Sequence, residues 1–331
     1  MVKILNSAPT YVSDSLNGLC AAFPTLTRGG TDGRFIERTT KKSKGKVGVV
    51  SGGGSGHLPL FCSYVGNGLL DSCAIGNVFE GPTVLSCSET IQSANQGAGV
   101  LLLFGNYGGD RMNFEMAATF ASSQGIETRT VLGIDDIASA VKLERDKRRG
   151  VAGLVFGYKC AGAAAEAGQP LADVERIARL AVDRTATVGF ATSGCVLPGS
   201  DKASFQIPDG MVSFGMGIHG EPGLWTRAMP TSKELAAETV ELLLSEKPEE
   251  ETHEVVLMVN SLGATPIEEL LILCGDIHAR LKDQNIKIRS TMVGPYVTSM
   301  EMAGASVSLL YLNEVLDPLV TAPCNSPFWR V

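Results

Sequence analysis

"LLLFGNYGGDRMNFEMA", residues 101–117, carries the signals of a strand, a turn and a helix in one short stretch. The apolar run at its start is typical of a strand that is buried on both faces. The polar, glycine-containing turn that follows leads into a helix that we expect to begin near Asp110. A strand followed directly by a helix is the building unit of an α/β protein.

Other parts of the chain repeat this pattern. Short aliphatic runs predict strands at 47–50, 99–104, 151–156, 186–192, 254–260 and 306–312. Between several of them lie helical stretches, of which the clearest is 266–283, where apolar residues recur three and four positions apart and Pro266 stands near the start. The alternation predicts an α/β fold with a largely parallel sheet.

The length of 331 residues predicts two domains, since domains run to roughly 100–200 residues each. We place the division near residue 190, giving an N-terminal domain over 1–190 and a C-terminal domain over 191–331. The stretch 193–210 is the candidate linker because it has two prolines, several small polar residues and little helical pattern.

Composition narrows the classes of function. The net charge is −7, and the one basic run, Lys41 to Lys46, is interpreted as a solvated loop before a strand, so nucleic-acid binding is disfavoured. No apolar stretch reaches the roughly 18 residues that a membrane span needs, and the start of the chain lacks a signal-peptide pattern, so we expect a cytoplasmic protein. Eight cysteines without a CxxC pair and four histidines without HxH or HExxH argue against a metal site.

The stretch "VVSGGGSGHLP", residues 49–59, is interpreted as a glycine loop after a strand. It lacks the lysine of a Walker loop, and Pro59 interrupts the dinucleotide fingerprint. Consecutive glycines still allow backbone amides to approach the oxygen atoms of a ligand. His57 could supply a donor, an acceptor or a proton relay, or it could be a structural histidine that bonds local backbone.

Two further polar side chains stand in glycine-rich surroundings. Asp110 could be the N-cap of its helix, or it could accept a proton from a substrate hydroxyl. His219, in "MGIHGEPGLW" at 216–225, could be a nucleophile held in an exposed loop or a structural histidine. Three such segments in one chain favour a shared pocket.

Six stretches together carry a family resemblance that extends from about residue 6 to the end of the chain. They are "SGGGSGH", "GNYGGDRMNFEMA", "RRGVAGLVFGYKCAGAAAEAG", "GMGIHGEPG", "MVNSLGATP" and "VGPYVTSMEMAGASVSL". In order and spacing the chain resembles the dihydroxyacetone-binding K subunit of dihydroxyacetone kinases. The resemblance implies two α/β domains, each a sheet flanked by helices, and a homodimer.

The resemblance also implies roles for single residues. His219 would hold a short ketose as a covalent hemiaminal, His57 would hydrogen-bond it, and Asp110 would orient and deprotonate the hydroxyl that is phosphorylated. The remaining substrate-binding positions would be Gly53, Gly54, Ser55, Gly105, Asn106 and Gly108. No cofactor is expected on this chain, because in the family ATP or ADP with magnesium sits on a separate nucleotide-binding L-type subunit or on a further domain.

Three departures from the family pattern keep alternatives open. Gly105 stands where relatives usually have lysine, Gly108 where they have threonine, and Leu58 with Pro59 where they have Glu-Pro. The chain is therefore expected to be a subunit of a dihydroxyacetone kinase or of a kinase for a four-carbon ketose such as erythrulose. The alternative is a ketose-sensing co-activator that transfers no phosphate.

Overall fold

The computed structural model describes residues 3–249 and 254–331. The helices are α1 (Tyr11–Ala22), α2 (Val84–Ala94), α3 (Gly108–Ser123), α4 (Leu154–Glu166), α5 (Leu171–Asp183), α6 (Ser232–Leu244), α7 (Ile267–Asp283) and α8 (Leu316–Val320). The strands are β1 (Leu26–Gly29), β2 (Phe35–Arg38), β3 (Gly48–Ser55), β4 (Ser72–Val78), β5 (Val100–Gly105), β6 (Thr128–Gly133), β7 (Thr185–Ala191), β8 (Met211–Phe214), β9 (Trp225–Ala228), β10 (Glu254–Ser261), β11 (Lys287–Gly294) and β12 (Gly304–Tyr311).

The chain forms two compact units, and it passes between them more than once. The first unit contains the residues up to Gly133 together with Val155–Ala181 and Pro318–Val331, and the second contains Ile134–Leu154 and Val182–Asp317. These units differ from a single division near residue 190. The stretch 193–210 lies inside the second unit, where the amide of Val196 donates to the Glu301 carboxylate at 2.8 Å, so it is not a linker between the two units.

The first unit holds a six-stranded mixed sheet in the order β1-β2-β4-β3-β5-β6. Strands β4, β3, β5 and β6 are mutually parallel, β2 pairs with β4 in the antiparallel direction, and β1 pairs with β2 in the antiparallel direction. Helices α2 and α3 pack on this sheet over an apolar core that includes Val50, Leu102 and Phe104. Because β3, β4 and β5 are adjacent and parallel, their carboxyl ends meet at one edge, where ligands of α/β sheets usually bind.

The second unit holds a six-stranded mixed sheet in the order β11-β10-β12-β7-β8-β9, with α6 and α7 packed on it. Within the described residues β10 and β11 form the parallel pair, and the other neighbouring strands are antiparallel. The prediction of a largely parallel sheet is therefore wrong for this unit. The reason is burial, since all eight residues of β12 are buried and an antiparallel strand then looks as apolar as a parallel one.

The α/β fold class is confirmed, and so are the predicted strands at 99–104, 186–192, 254–260 and 306–312 and the helix at 266–283, for which Pro266 is the N-cap. The strand predicted at 151–156 is wrong, because helix α4 begins at Leu154. Nearly every residue at its start is buried, and a helix that is buried all round is as apolar as a buried strand.

The predicted glycine loop is also different from the structure, because strand β3 continues through "SGGGS" to Ser55. A methyl group on Gly52 would lie 2.7 Å from the carbonyl oxygen of Ala74 and 2.9 Å from the ring of Phe114. Gly52 therefore allows neighbouring elements to approach the strand closely. A run of glycines looks the same in the sequence whether it forms such a strand or a loop.

The basic run Lys41–Lys46 is not simply a solvated loop. The ammonium group of Lys42 is buried, 2.7 Å from the Asp71 carboxylate, and Lys46 pairs with Glu166 at 3.6 Å. Both acidic partners lie far away in the sequence, so the pairing could not be predicted from the run. As to membrane spans, no helix among residues 3–249 and 254–331 combines the length and the apolar character that crossing a bilayer requires.

Candidate functional site

The first unit places three segments at the carboxyl edge of its parallel strands. His57 follows the end of β3, Phe79 comes directly after β4, and Asn106 follows β5 in the turn that leads to Asp110. The register pairs Ser55 with Val78, so β3 and β4 end at the same level. The predicted site residues of this unit are thus delivered to one edge by neighbouring strands.

His57 is 1% exposed and lies among aromatic rings. Its imidazole stacks on the ring of Phe79, with 5.0 Å between centroids and 23° between planes, and meets Phe61 edge-on at 6.5 Å. A methyl group on Gly53 would overlap the Phe61 ring, and one on Gly54 would lie 3.0 Å from the backbone of Phe79. The two glycines therefore make room for the rings that fix the plane of the imidazole.

Phe79 belongs to the candidate site, although no pattern in the sequence points to it. Its φ of 61° lies in the left-handed region, which is costly for a bulky side chain. The amide of Phe79 donates to the carbonyl of Ser55 at 3.0 Å, which joins the ends of β3 and β4. The surrounding contacts thus hold a strained backbone so that the ring lies against His57.

Asp110 lies in the first turn of α3, whose N-cap is Tyr107, so the interpretation of Asp110 as the N-cap is wrong. Its carboxyl group is largely buried, and a methyl group on Gly81 would lie 2.5 Å from its Oδ1 atom. Gly81 is two residues from Phe79, which stacks on His57. The segment 79–81 therefore contacts His57 at one end and Asp110 at the other, which brings these two candidates into one region.

The turn between β5 and α3 presents backbone amides. The amide of Asn106 donates to the carbonyl of Gly133 at 3.2 Å, which holds the turn beside β6. Gly108 and Gly109 open α3 and are exposed, and no described residue comes within 4 Å of a methyl group placed on either. The first amides of a helix have no acceptor within it and favour negative charge.

The second unit carries His219 in the tight loop between β8 and β9. The amide of Gly220 donates to the carbonyl of Gly217 at 3.1 Å, and the buried hydroxyl of Ser299 donates to the carbonyl of Ile218. Gly220 has φ of 84°, and a methyl group on it would overlap the ring of Phe205. Glycine is therefore required beside His219, which is 25% exposed at its side chain.

A carboxylate fixes the imidazole of His219. Nδ1 of His219 lies 3.0 Å from Oε1 of Glu221, and the amide of His219 donates to Oε2 of the same carboxylate at 3.0 Å. Burial by itself would raise the pKa of Glu221, but the hydrogen bond and charge of His219 and the charge of Arg149 outweigh it and lower that pKa to about 2. An ionised carboxylate only accepts, so Nδ1 of the neutral ring must donate, and Nε2 carries the lone pair.

Two residues that sequence reasoning missed hold Glu221 in turn. Nη1 of Arg149 lies 3.6 Å from Glu221, and its Nη2 atom lies 2.8 Å from the buried carboxylate of Asp136. Burial raises the pKa of Asp136 while Arg149 opposes that rise. Arg149 lies within "RRGVAG", a stretch used for the resemblance, but its spacing from Glu221 gives no signal that the two meet.

The structure thus assigns His57 and Asp110 to the first unit and His219 to the second. The pocket that all three would share stays a prediction. Among the described residues there is no group of three or more His, Cys, Asp or Glu side chains arranged to hold a metal ion.

Comparison with known proteins finds a matching family model and relatives that agree with it. The Dak1 domain model matches residues 17–328. The chain is 40% identical over 330 residues to D-erythrulose kinase of Mycolicibacterium smegmatis, covering 100% of this chain and 57% of that protein. It is also 40% identical over 330 residues to the dihydroxyacetone-binding subunit DhaK of PTS-dependent dihydroxyacetone kinase 1 of Listeria innocua, covering 99% of this chain and 100% of that subunit.

Solved structures agree with these relatives. The dihydroxyacetone kinase of C. freundii in complex with AMP-PNP and Mg²⁺ superposes with a TM-score of 0.91 at 32% identity, covering 99% of this chain and 61% of that one. The dihydroxyacetone kinase operon co-activator DhaQ superposes with a TM-score of 0.90 at 30% identity, covering 98% and 99%. The chain thus spans little more than half the length of the erythrulose kinase and the whole length of the DhaK subunit. By its sequence, its fold and the match over residues 17–328, the chain belongs to the dihydroxyacetone kinase family as a DhaK-like Dak1 domain protein.

Proposed function

We propose that this chain is the ketose-binding part of a short-ketose kinase and holds its substrate as a hemiaminal on His219. The substrate would be dihydroxyacetone or a four-carbon ketose such as erythrulose, phosphorylated at a terminal hydroxyl. The observation that carries this proposal is the 3.0 Å hydrogen bond from Nδ1 of His219 to Glu221, because it sets the tautomer in which Nε2 is the nucleophile.

The adduct would form by addition of His219 to the ketone carbonyl, a step that has no leaving group. Nε2 forms a bond to the carbonyl carbon of the ketose, and the π electrons of the C=O bond move to its oxygen, which takes up one proton from solvent. The ring then carries a positive charge, with Nδ1 still protonated and facing the carboxylate of Glu221. A polyol such as glycerol has no carbonyl carbon, so it is excluded by chemistry and not by size.

The first unit would prepare the hydroxyl for transfer. His57, oriented by its stacking on Phe79, hydrogen-bonds the substrate, and Asp110 takes the proton of the attacking hydroxyl as the phosphoryl group arrives. The amides of Gly108 and Gly109 at the start of α3 would favour the negative charge of that group. Gly53, Gly54, Ser55, Gly105 and Asn106 would line the substrate site along the same edge.

The phosphoryl donor would reach this site on another chain or domain. We propose a nucleotide-binding L-type subunit that carries ATP or ADP with magnesium, or a further domain of a longer chain. The equal length of the Listeria subunit supports a separate donor subunit, and the greater length of the M. smegmatis kinase supports a further domain of one chain. A homodimer located in the cytoplasm completes the proposal.

The test combines the purified chain with a nucleotide-loaded L-type subunit, ATP, Mg²⁺ and dihydroxyacetone, erythrulose or glycerol. Phosphate esters are followed by ³¹P NMR, and the adduct by ¹³C NMR of ketose labelled at the carbonyl carbon. We expect His219→Ala to lose both signals and Asp110→Asn to keep the adduct but lose the ester. His278→Ala, in the exposed part of α7, is the control. Full ester formation by Asp110→Asn would refute its role as the base.

A second candidate function is ketose sensing without phosphoryl transfer. The co-activator DhaQ matches nearly the whole chain, and Gly105 and Gly108 depart from the family pattern. No described residue comes within 4 Å of a methyl group on Gly108, so a side chain would fit there. The glycine that stands in place of threonine therefore has no steric explanation, and it removes a hydroxyl from this position. A sensor would give the ¹³C adduct with wild-type protein and no ester with any donor, whereas a kinase would give both.

A further inference from the structure

Helix α3 exposes a stripe of large apolar side chains. Met112 is 61% exposed, Met116 48% and Phe120 50%, and their spacing of four residues places them on one face. The other face, with Phe114 and Ala117, is buried in the core. The helix therefore has an apolar inner face and a second apolar strip that the described residues leave open to solvent.

Leu85 of α2 extends this strip. The side-chain amide of Asn113 donates to the carbonyl of Pro82 at 2.8 Å, and that of Gln92 donates to Gln124 at 2.9 Å. These two bonds tie the starts and the ends of α2 and α3 together, so the helices run side by side in the same direction. Leu85, which is 48% exposed, then lies at the level of the first turns of α3. We call Leu85, Met112, Met116 and Phe120 the α3 stripe.

The α3 stripe has the composition of an interface. Single exposed apolar side chains are common on protein surfaces, but several large ones together mark a binding surface. Arg111 and Glu115 lie on the same helix and form an exposed pair at 3.8 Å, which provides a polar margin. An apolar centre that includes methionine and an aromatic ring, with charges at its edge, is typical of protein–protein contacts.

We propose that the α3 stripe is the docking surface for the nucleotide-carrying subunit or domain, an inference that rests on the proposed kinase function. Asp110 lies in the first turn of the same helix. The donor phosphate must come to about 3 Å from the hydroxyl that Asp110 contacts, so its carrier must cover the surface around that turn. Phe120 lies ten residues further along, or roughly 15 Å.

A stable interface of ordinary size is large enough to cover both Asp110 and Phe120. A partner that buries about 800 Å² on this side covers a disc with a radius of roughly 16 Å, which extends from Asp110 to Phe120. A second copy of this chain on the same stripe would cover the approach to Asp110 and exclude the phosphoryl donor. The apolar stripe therefore fits the donor's carrier better than it fits a self-contact.

The experiment compares Leu85→Glu and Met116→Glu with Leu143→Glu, an equally drastic change at a leucine that is 98% exposed in the second unit. The probe is an L-type subunit with ADP or ATP and Mg²⁺ bound. We expect the concentration of this subunit that gives half-maximal phosphate ester formation to rise at least about tenfold in the first two variants. The rate at saturation, the ¹³C adduct and the Leu143→Glu control should stay unchanged.

Two results would overturn the inference. One is an unchanged half-maximal concentration in both stripe variants. The other is a loss of self-association in sedimentation with an unchanged response to the L-type subunit, which would assign the stripe to a second copy. If the wild-type chain forms the adduct but no ester, the kinase proposal fails, and calorimetric titration with the L-type subunit still decides the docking surface. In that case, a wild-type chain that does not bind the L-type subunit would contradict the docking inference.

Discussion

The substitution Glu221→Gln tests the hydrogen bond on which the proposed chemistry depends. A glutamine side chain has nearly the same shape, but its amide can donate as well as accept. It therefore permits the other tautomer of His219, in which Nε2 carries the proton and is not a nucleophile. It also removes the negative charge that faces the cationic ring of the adduct and the charge that pairs with Arg149.

The magnitude follows from the pKa of Glu221. It is lowered from 4.5 to about 2 against the opposing effect of burial, and each unit corresponds to about 1.4 kcal/mol, so the surroundings favour the carboxylate by roughly 3 kcal/mol. In Glu221→Gln, part of this stabilisation is lost from the free energy of unfolding, and part is lost from the free energy of adduct formation. We expect the adduct with dihydroxyacetone to weaken by about tenfold to a hundredfold at pH 7.

The pH dependence has a definite sign. The pKa of Glu221 is lower in the folded chain than its ordinary value, so its contribution is complete above about pH 4.5 and is lost as the pH falls through about 2. The difference in free energy of unfolding between the wild-type chain and Glu221→Gln should therefore shrink as the pH falls from about 4.5 towards 2. A difference that grows on acidification would contradict this assignment.

The assay is a ¹³C NMR titration with dihydroxyacetone labelled at the carbonyl carbon, in which the ketone signal is replaced by that of a tetrahedral carbon. The matched control is Glu238→Gln, which changes a carboxylate that accepts from Trp225 at 2.8 Å in the same unit. The control should keep the wild-type dissociation constant. If Glu221→Gln also keeps it, the reasoning about the tautomer is refuted.

Three more predictions concern close packing and buried polar contacts within the two units. Gly53→Ala should lower the free energy of unfolding in a urea titration by about 1–3 kcal/mol, because its methyl group overlaps a buried ring, whereas Gly108→Ala should cause no loss, and equal effects would contradict this account. Asp71→Asn removes the anion nearest to the buried ammonium of Lys42, which is also the partner of the buried Arg38, and should cost about 3–5 kcal/mol in the same titration, so a loss below 1 kcal/mol would refute the pairing. Ser299→Ala removes a buried hydrogen bond to the loop that carries the candidate nucleophile and should cost about 1–2 kcal/mol and weaken the adduct, while an unaltered adduct would show that the loop does not need it.

The parts of the fold that could be predicted from sequence depend on local signals. Helix α7 has apolar residues at helical spacing and a proline at its start, and strand β5 is a short apolar run followed by a turn. The start of α4 at Leu154 has no such signal, because burial on all sides removes the periodicity that distinguishes a helix from a strand. The direction of β12 was likewise hidden, since direction is set by its partners and not by its own residues.

The candidate site divides in the same way. Each of His57, Asp110 and His219 stands in a glycine-rich segment next to a strand, and that local pattern selected them. Arg149 could not be selected, because its contact with Glu221 joins positions that are far apart in the chain. Phe79 could not be selected either, because neither its residue type nor its neighbours announce a left-handed backbone that presents a ring to His57.

Gly53 in the first unit and Gly217 in the second have the same physical role, and it differs from the one that the clustering of glycines suggests. Gly53 lies in a strand and admits the ring of Phe61 close to His57, while a methyl group on Gly217 would lie 2.6 Å from Arg149 and overlap the carboxylate of Glu221. In each case the missing side chain allows a neighbour to approach and orient an imidazole. The close packing at Gly53 and Gly217 thus holds the neighbours of His57 and His219 in place, which is a different use of glycine from a flexible loop that closes around a phosphate.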